Sequence, residues 1–81
     1  MKVNIRYFAM LRDITKKDAE QLELNEGQNI EKIQNHLFEK YPKLSEFNKT
    51  VSFALNGEYA RPDMAVYDGD ELALLPPIAG G

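Results

Sequence analysis

The sequence predicts an α+β domain in which a mixed β-sheet curls around one main helix. Apolar and polar residues alternate in short segments near both ends of the chain, which is typical of half-buried strands. One stretch between these segments has helical spacing instead. At 81 residues, the chain is too short to divide into two domains with separate cores. We therefore expect one domain over residues 1–75 and an extended tail over residues 76–81.

The alternating segments predict five strands. In the first, Val3, Ile5 and Tyr7 form one face. The others are centred on residues 22–24, 51–55, 58–60 and 72–74. Asn56-Gly57 predicts a tight hairpin turn, because both residue types tolerate positive φ angles. If the first and last strands are neighbours, both ends of the chain lie near the middle of the sheet.

The main helix is predicted by a stripe of apolar residues spaced three to four apart, namely Ile30, Ile33, Leu37 and Tyr41. Asn29 is the expected N-cap. Pro42 ends the helix at or before Tyr41, because proline disfavours helical geometry in the residue before it. Between the first two strands, residues 9–14 predict a turn or a short helical piece. Glu20, Glu23 and Glu26 are interpreted as solvated side chains around the second strand.

The composition excludes several classes of function. Ten basic and thirteen acidic residues give a net charge of −3, which argues against nucleic acid and against a polybasic membrane contact. The chain has no cysteine, which excludes disulfides and thiolate chemistry. No apolar run is long enough to span a bilayer, and we expect a cytoplasmic protein. The lone His36 and the Asp68-Gly69-Asp70 turn do not predict a metal site, and we expect no bound cofactor.

The tail is the strongest candidate for function. Pro76 and Pro77 have restricted φ angles and no N–H, so we expect the tail to leave the sheet as a stiff arm that could reach about 20 Å. Side chains then become smaller along the last four residues, Ile78, Ala79, Gly80 and Gly81. A glycine backbone fits a channel that is too narrow for side chains. The alternative is that these residues form a frayed end without function.

A second candidate surface lies at the root of the tail. If Val3, Ile5 and Tyr7 face the core, Phe8 faces the opposite side, and by the same parity Leu75 faces outward. In neighbouring strands, Phe8 and Leu75 would form an exposed apolar patch, which Tyr59 extends. Such patches mark protein interfaces. The alternative is that the last residues leave strand geometry and tuck inward, or that a loop covers the patch.

Three segments resemble the small subunit of molybdopterin synthase. They are residues 6–13 (RYFAMLRD), residues 55–59 (LNGEY) and residues 68–81 (DGDELALLPPIAGG). The resemblance covers the whole chain, although residues 16–18 and 43–50 carry no signature. It implies the ubiquitin-like β-grasp fold.

The resemblance also implies a sulfur carrier that is not an enzyme on its own. An adenylating enzyme similar to ubiquitin-activating enzymes would use ATP to activate Gly81, and a sulfur donor would convert it to a thiocarboxylate. The large subunit would accept the tail and supply the catalytic groups for sulfur transfer to cyclic pyranopterin monophosphate, in a heterotetramer. The alternatives are a carrier of the same fold for thiamine, tRNA thiolation or cysteine synthesis, and a ubiquitin-like protein modifier.

Overall fold

The computed structural model describes residues 1–77, so the predictions for residues 78–81 lie outside the described part of the chain. Its strands are β1 (Lys2–Tyr7), β2 (Ala19–Glu23), β3 (Gln28–Asn29), β4 (Ser52–Leu55), β5 (Glu58–Ala60), β6 (Ala65–Val66) and β7 (Glu71–Leu75). The helices are α1 (Met10–Thr15), α2 (Ile30–Lys40) and a 3-10 helix (Pro42–Phe47).

Five strands form one mixed sheet in the order β2-β1-β7-β4-β5. The first and last strands are neighbours, which the alternating pattern alone did not predict, and they are parallel, whereas the other pairs in this sheet are antiparallel. β7 is therefore the central strand, with β1 on one side and β4 on the other. The prediction of an α+β fold with a mixed sheet is confirmed.

A second, two-stranded sheet pairs β3 with β6. The sequence did not predict it, because strands of two residues are too short to show an alternating pattern. This small sheet leads directly into α2. The backbone N–H of Ile30 donates to the carbonyl oxygen of Met64 at 3.1 Å, and that of Glu31 donates to the carbonyl oxygen of Pro62 at 2.9 Å. The loop before β6 therefore satisfies two of the backbone donors that the start of a helix leaves without intrahelical partners.

The core lies between the large sheet and α2. The predicted stripe residues Ile30, Ile33 and Leu37 are completely buried, and Tyr41 is half-buried at the end of the helix. Leu72 and Leu74 of β7 are also completely buried, so this strand faces the core with the predicted parity. The remaining buried apolar residues are Val3, Ile5, Tyr7, Leu11, Leu22, Leu44, Phe53 and Val66.

The N-cap of α2 and the turns at residues 56–57 and 68–70 agree with the predictions from the sequence. The side chain of Asn29 accepts a hydrogen bond from the backbone N–H of Lys32 at 2.8 Å, which confirms it as the N-cap of α2. Asn56 and Gly57 have φ angles of 52° and 87°, and they join β4 to β5 as the predicted hairpin. Asp70 accepts a hydrogen bond from the backbone N–H of Tyr67 at 2.8 Å, which holds the turn before β7.

The prediction that Glu20 is solvated is wrong, because only 9% of its side chain is exposed. One carboxylate oxygen accepts hydrogen bonds from the hydroxyl groups of Tyr7 at 2.5 Å and Tyr41 at 2.7 Å. The other oxygen accepts from Lys40 Nζ at 2.6 Å. Glu20 therefore ties the edge strand β2 to the end of α2 and to β1. We call Glu20, Tyr7, Tyr41 and Lys40 the Glu20 cluster.

These contacts shift the ionisation of the cluster. Burial by itself raises the pKa of the Glu20 carboxyl group. The hydrogen bonds from Lys40 and the two tyrosines outweigh burial and lower the pKa of Glu20 to about 2, from an ordinary value of 4.5. Burial, together with the hydrogen bond to the carboxylate, raises the pKa of Tyr7 far above its usual range.

The lowered pKa of Glu20 predicts a specific loss of stability in acid. A carboxyl group with a lowered folded-state pKa stabilises the fold fully above its unfolded pKa of about 4.5, and this stabilisation disappears as the pH falls towards 2. Between pH 7 and pH 3, we expect wild-type protein to lose about 2 kcal/mol more of its free energy of unfolding than Glu20→Gln. Urea unfolding at the two pH values measures this difference.

Glu23→Gln is the matched control, because Glu23 lies on the same strand with an exposed side chain. This variant should lose as much stability in acid as wild-type protein does. If Glu20→Gln and wild-type protein show the same pH dependence, the Glu20 cluster does not stabilise the folded state through ionisation.

Candidate functional site

The candidate site lies on the outer face of the large sheet, which points away from α2. On β7, the buried residues Leu72 and Leu74 alternate with the half-buried residues Glu71, Ala73 and Leu75. Residues paired across neighbouring strands share a face of the sheet. Ala73 pairs with Arg6 on β1 and with Ala54 on β4. These side chains therefore form one row across the outer face.

This row forms the floor of a shallow groove of about 190 Å³. We call it the outer-face groove. It is lined by Arg6, Phe8, Ala54, Gly57, Glu71, Ala73 and Leu75. The two alanines leave space because their side chains are short, and the larger Phe8 and Leu75 stand at the end from which the tail departs. The structure thus brings Phe8 and Leu75 to one apolar surface. Their role in an interface stays a prediction.

Phe8 reaches the groove because the backbone turns sharply after β1. Phe8 is 38% exposed and follows the last residue of the strand. The next residue, Ala9, has a φ angle of 50°, which residues with a Cβ atom rarely adopt. This turn leads directly into α1, whose Leu11 is completely buried. Phe8 is therefore held between two anchored elements rather than in a long loop.

Tyr59 lies on the same face of the sheet but outside the outer-face groove. It pairs with Ala54 across β4 and β5, and it is 77% exposed. It lines a separate depression together with other residues of the hairpin and with Met64, which follows the hairpin in the chain. The apolar outer face thus extends from Phe8 and Leu75 towards Tyr59, but it is not one continuous cavity.

The tail leaves from the central strand of the sheet. β7 ends at Leu75, after which Pro76 is half-buried and Pro77 is exposed. The predicted functional residues Ile78, Ala79, Gly80 and Gly81 lie outside the described residues. The division into a domain over residues 1–75 and a tail over residues 76–81 stays a prediction. Because β7 is paired on both sides, the root of the tail is fixed by hydrogen bonds to β1 and β4.

Arg6 is a site residue that the sequence analysis missed. Its guanidinium carbon lies 5.5 Å from the centroid of the Phe8 ring, and its Nη1 atom lies 3.4 Å from Glu71 Oε1. The alternation of apolar and polar residues along β1 could have predicted that Arg6 lies on the outer face, because it places Arg6 on the face opposite Tyr7.

Other kinds of site are not found in the described part of the chain. Between residues 1 and 77, no three or more His, Asp or Glu side chains are arranged to hold a metal ion. His36 is exposed on α2. Asp68 accepts a hydrogen bond from the backbone N–H of Lys2 at 2.6 Å, so its carboxylate helps to close the turn before β7. In the same range, no helix has the length and apolar character needed to cross a membrane.

Comparison with known proteins assigns the chain to a family. The model of the ThiS family matches residues 5–81. The molybdopterin synthase sulfur carrier subunit of Chlamydomonas reinhardtii is 37% identical to this chain over 83 aligned residues, and the alignment covers all of both proteins.

Solved structures agree with this assignment. A chain in the complex of subunits 1 and 2 of the molybdopterin-converting factor from Helicobacter pylori superposes with a TM-score of 0.69 and 27% identity over the full length of both chains. SAMP1 from Haloferax volcanii superposes with a TM-score of 0.87 and 24% identity, also over both full chains, which shows a common fold. The mixed sheet around one helix is thus the ubiquitin-like β-grasp fold, and the chain belongs to the ThiS family.

Proposed function

We propose that this protein is the sulfur-carrier subunit of a molybdopterin synthase. The observation that carries the proposal is the full-length similarity to curated sulfur carrier subunits, at 37% identity with the protein of Chlamydomonas reinhardtii. The geometry supports it, because a small domain with a tail rooted in its central strand is suited to present a chain end to another protein. On this proposal, the chain is a non-catalytic subunit and binds no cofactor.

The chemistry takes place at the carboxylate of Gly81. A carboxylate is inert towards nucleophiles, so an oxygen of Gly81 first attacks the α-phosphorus of ATP in the activating enzyme and releases pyrophosphate. Sulfur delivered by a donor at the oxidation level of sulfide then attacks the carbonyl carbon and displaces AMP, which leaves a thiocarboxylate without any change of oxidation state. The thiocarboxylate sulfur then forms a C–S bond to a carbon of cyclic pyranopterin monophosphate as a C–O bond at that carbon breaks, and water hydrolyses the resulting thioester between sulfur and the glycine carbonyl. The carboxylate is thereby regenerated. Two such deliveries, from two carriers, supply the two sulfurs of the dithiolene.

Two partners follow from this sequence of steps. The first is an ATP-using adenylyltransferase that resembles ubiquitin-activating enzymes, and the second is the large subunit that holds the pterin and supplies catalytic groups. The outer-face groove is the proposed docking surface for the large subunit, because its apolar residues Phe8 and Leu75 flank the root of the tail. Two large subunits with one carrier at each end form the proposed heterotetramer.

The first prediction concerns the length of the tail. We expect deletion of Gly81, or addition of one alanine after it, to reduce thiocarboxylate formation by about 100-fold or more, because the reacting carbon is displaced by one residue from the activating site. Intact mass spectrometry after incubation with the activating enzyme, ATP and a sulfur donor measures the product. The thiocarboxylate is heavier than the carboxylate by the difference between one sulfur and one oxygen atom.

His36→Gln serves as the control, because this exposed helix residue belongs neither to the tail nor to the outer-face groove. It should be converted as fully as wild-type protein. Full conversion of the shortened or lengthened chain would refute the proposed role of Gly81. Loaded protein that transfers sulfur to another acceptor, but never to the pterin precursor, would instead indicate a carrier for thiamine, tRNA thiolation or cysteine synthesis.

The second prediction concerns docking. We expect Phe8→Ala and Leu75→Ala each to weaken binding to the large subunit by about tenfold, because each removes apolar area from the proposed interface beside the root of the tail. Titration calorimetry measures the dissociation constant, and circular dichroism confirms that each variant is folded.

Tyr67→Ala is the matched control for these variants. Tyr67 is 69% exposed, but it lies before the turn that leads into β7, at the end of the sheet opposite the tail. Its truncation should leave the dissociation constant unchanged. Folded Phe8→Ala and Leu75→Ala variants that bind as tightly as wild-type protein would exclude the outer-face groove as the docking surface.

A further inference from the structure

Arg6 places a positive charge among the apolar side chains of the outer-face groove. Its side chain is 52% exposed and extends from the middle of the row that includes Ala73 and Ala54. The guanidinium group lies over the ring of Phe8, with 5.5 Å between the guanidinium carbon and the ring centroid. A cation over an aromatic face is attracted by the ring, so Phe8 helps to orient the guanidinium group.

The hydrogen-bonding capacity of Arg6 is largely unused within residues 1–77. A guanidinium group carries five N–H donors in a rigid fork. In this part of the chain, the side chain of Arg6 makes one hydrogen bond, from Nη1 to Glu71 Oε1, and its length of 3.4 Å exceeds the usual range for a charged pair. The Glu71 side chain is itself 44% exposed, so water screens this contact in the free protein.

A protein that covers the outer-face groove removes this water. A buried cation is costly unless its donors are satisfied, and one long bond to Glu71 leaves most of the fork without acceptors. The partner must therefore bring acceptors to this position. A carboxylate matches the fork with two parallel N–H···O bonds and also neutralises the charge, which a backbone carbonyl group does not do.

The charge distribution of the domain favours the same partner chemistry. Two segments lie around the end of the sheet from which the tail departs. Residues 6–20 contain the end of β1, helix α1 and the start of β2, and residues 39–52 run from the end of α2, where Lys40 contacts Glu20, through the 3-10 helix beside α1 to the start of β4. These segments contain seven of the ten basic residues but only five of the thirteen acidic ones. The tail end is therefore positive on a chain whose net charge is −3, which favours approach of an acidic surface to this end.

We propose that Arg6 is a specificity-determining residue of the outer-face groove, and that it binds an aspartate or glutamate side chain on the large subunit that covers the groove. The inference rests on the proposed function, since it identifies the chemistry of that partner surface. It adds to the apolar contacts of Phe8 and Leu75 a polar contact that fixes how the two surfaces align.

The test is titration calorimetry of full-length variants with the large subunit. We expect Arg6→Leu to weaken binding by about tenfold, because it removes the charge and the donors but keeps an apolar side chain. Arg6→Lys should weaken it by a smaller factor, since the charge remains but the fork is lost. Glu71→Gln should bind as tightly as wild-type protein or more tightly, because it removes the negative charge that competes for Arg6.

Arg12→Leu is the matched control. Arg12 forms a similar exposed ion pair, with 3.5 Å between its Nη1 atom and Asp18 Oδ1, but it does not line the outer-face groove. Its replacement should change the affinity by less than about twofold. Thermal unfolding of every variant verifies that the domain remains folded, and Arg6→Lys tests the inference if Arg6→Leu does not fold.

Three results would overturn the inference. Arg6→Leu could bind with wild-type affinity or more tightly, which would mean that Arg6 only keeps the free surface soluble. Glu71→Gln could weaken binding as much as Arg6→Leu, which would mean that the internal ion pair is the recognised unit. Failure of wild-type protein to bind the large subunit would overturn the proposed function together with this inference, whereas the first two results leave that function intact.

Discussion

The parallel pairing of β1 with β7 is the constraint on which the arrangement of the site depends. It joins segments from opposite ends of the sequence, with Ile5 opposite Leu72 and Tyr7 opposite Leu74. Closing such a long loop has an entropic cost, which the completely buried core residues of both strands offset. Because the strands are parallel, they finish at the same edge of the sheet. Phe8, Leu75 and the root of the tail are therefore neighbours as a direct consequence of the topology.

The last residue of β1 and the residue that follows it point to opposite faces of the sheet. Tyr7 points into the core, where its hydroxyl group donates to Glu20, while Phe8 points outward into the outer-face groove. The Glu20 cluster thus fixes the strand that carries the candidate docking residue. A surface that is already rigid loses little conformational entropy when a partner covers it, so more of the contact energy contributes to affinity.

Structural features that depend on residues close in sequence could be predicted, whereas strands of two residues and contacts between distant segments could not. The stripe along α2, the alternation of β1 and β7 and the Asn56-Gly57 turn each involve residues close in sequence, so local rules suffice. β3 and β6 are too short for a pattern, and the burial of Glu20 depends on partners 13 to 21 residues away. At the site, parity correctly placed Phe8 and Leu75 on the outer face. The alternation of β1 predicts on which face Arg6 lies. It does not predict that the Arg6 guanidinium group contacts Phe8 and Glu71, and the role proposed for Arg6 rests on these contacts.

The central position of β7 also determines how the domain responds to mechanical force. A pull on the tail acts along the axis of a strand that is bonded to β1 on one side and to β4 on the other. All of these bonds are stretched together in shear, whereas a strand peeled from an edge loses its bonds one after another. A load applied at Pro76 is therefore shared between β1 and β4, and the domain resists unravelling from this end.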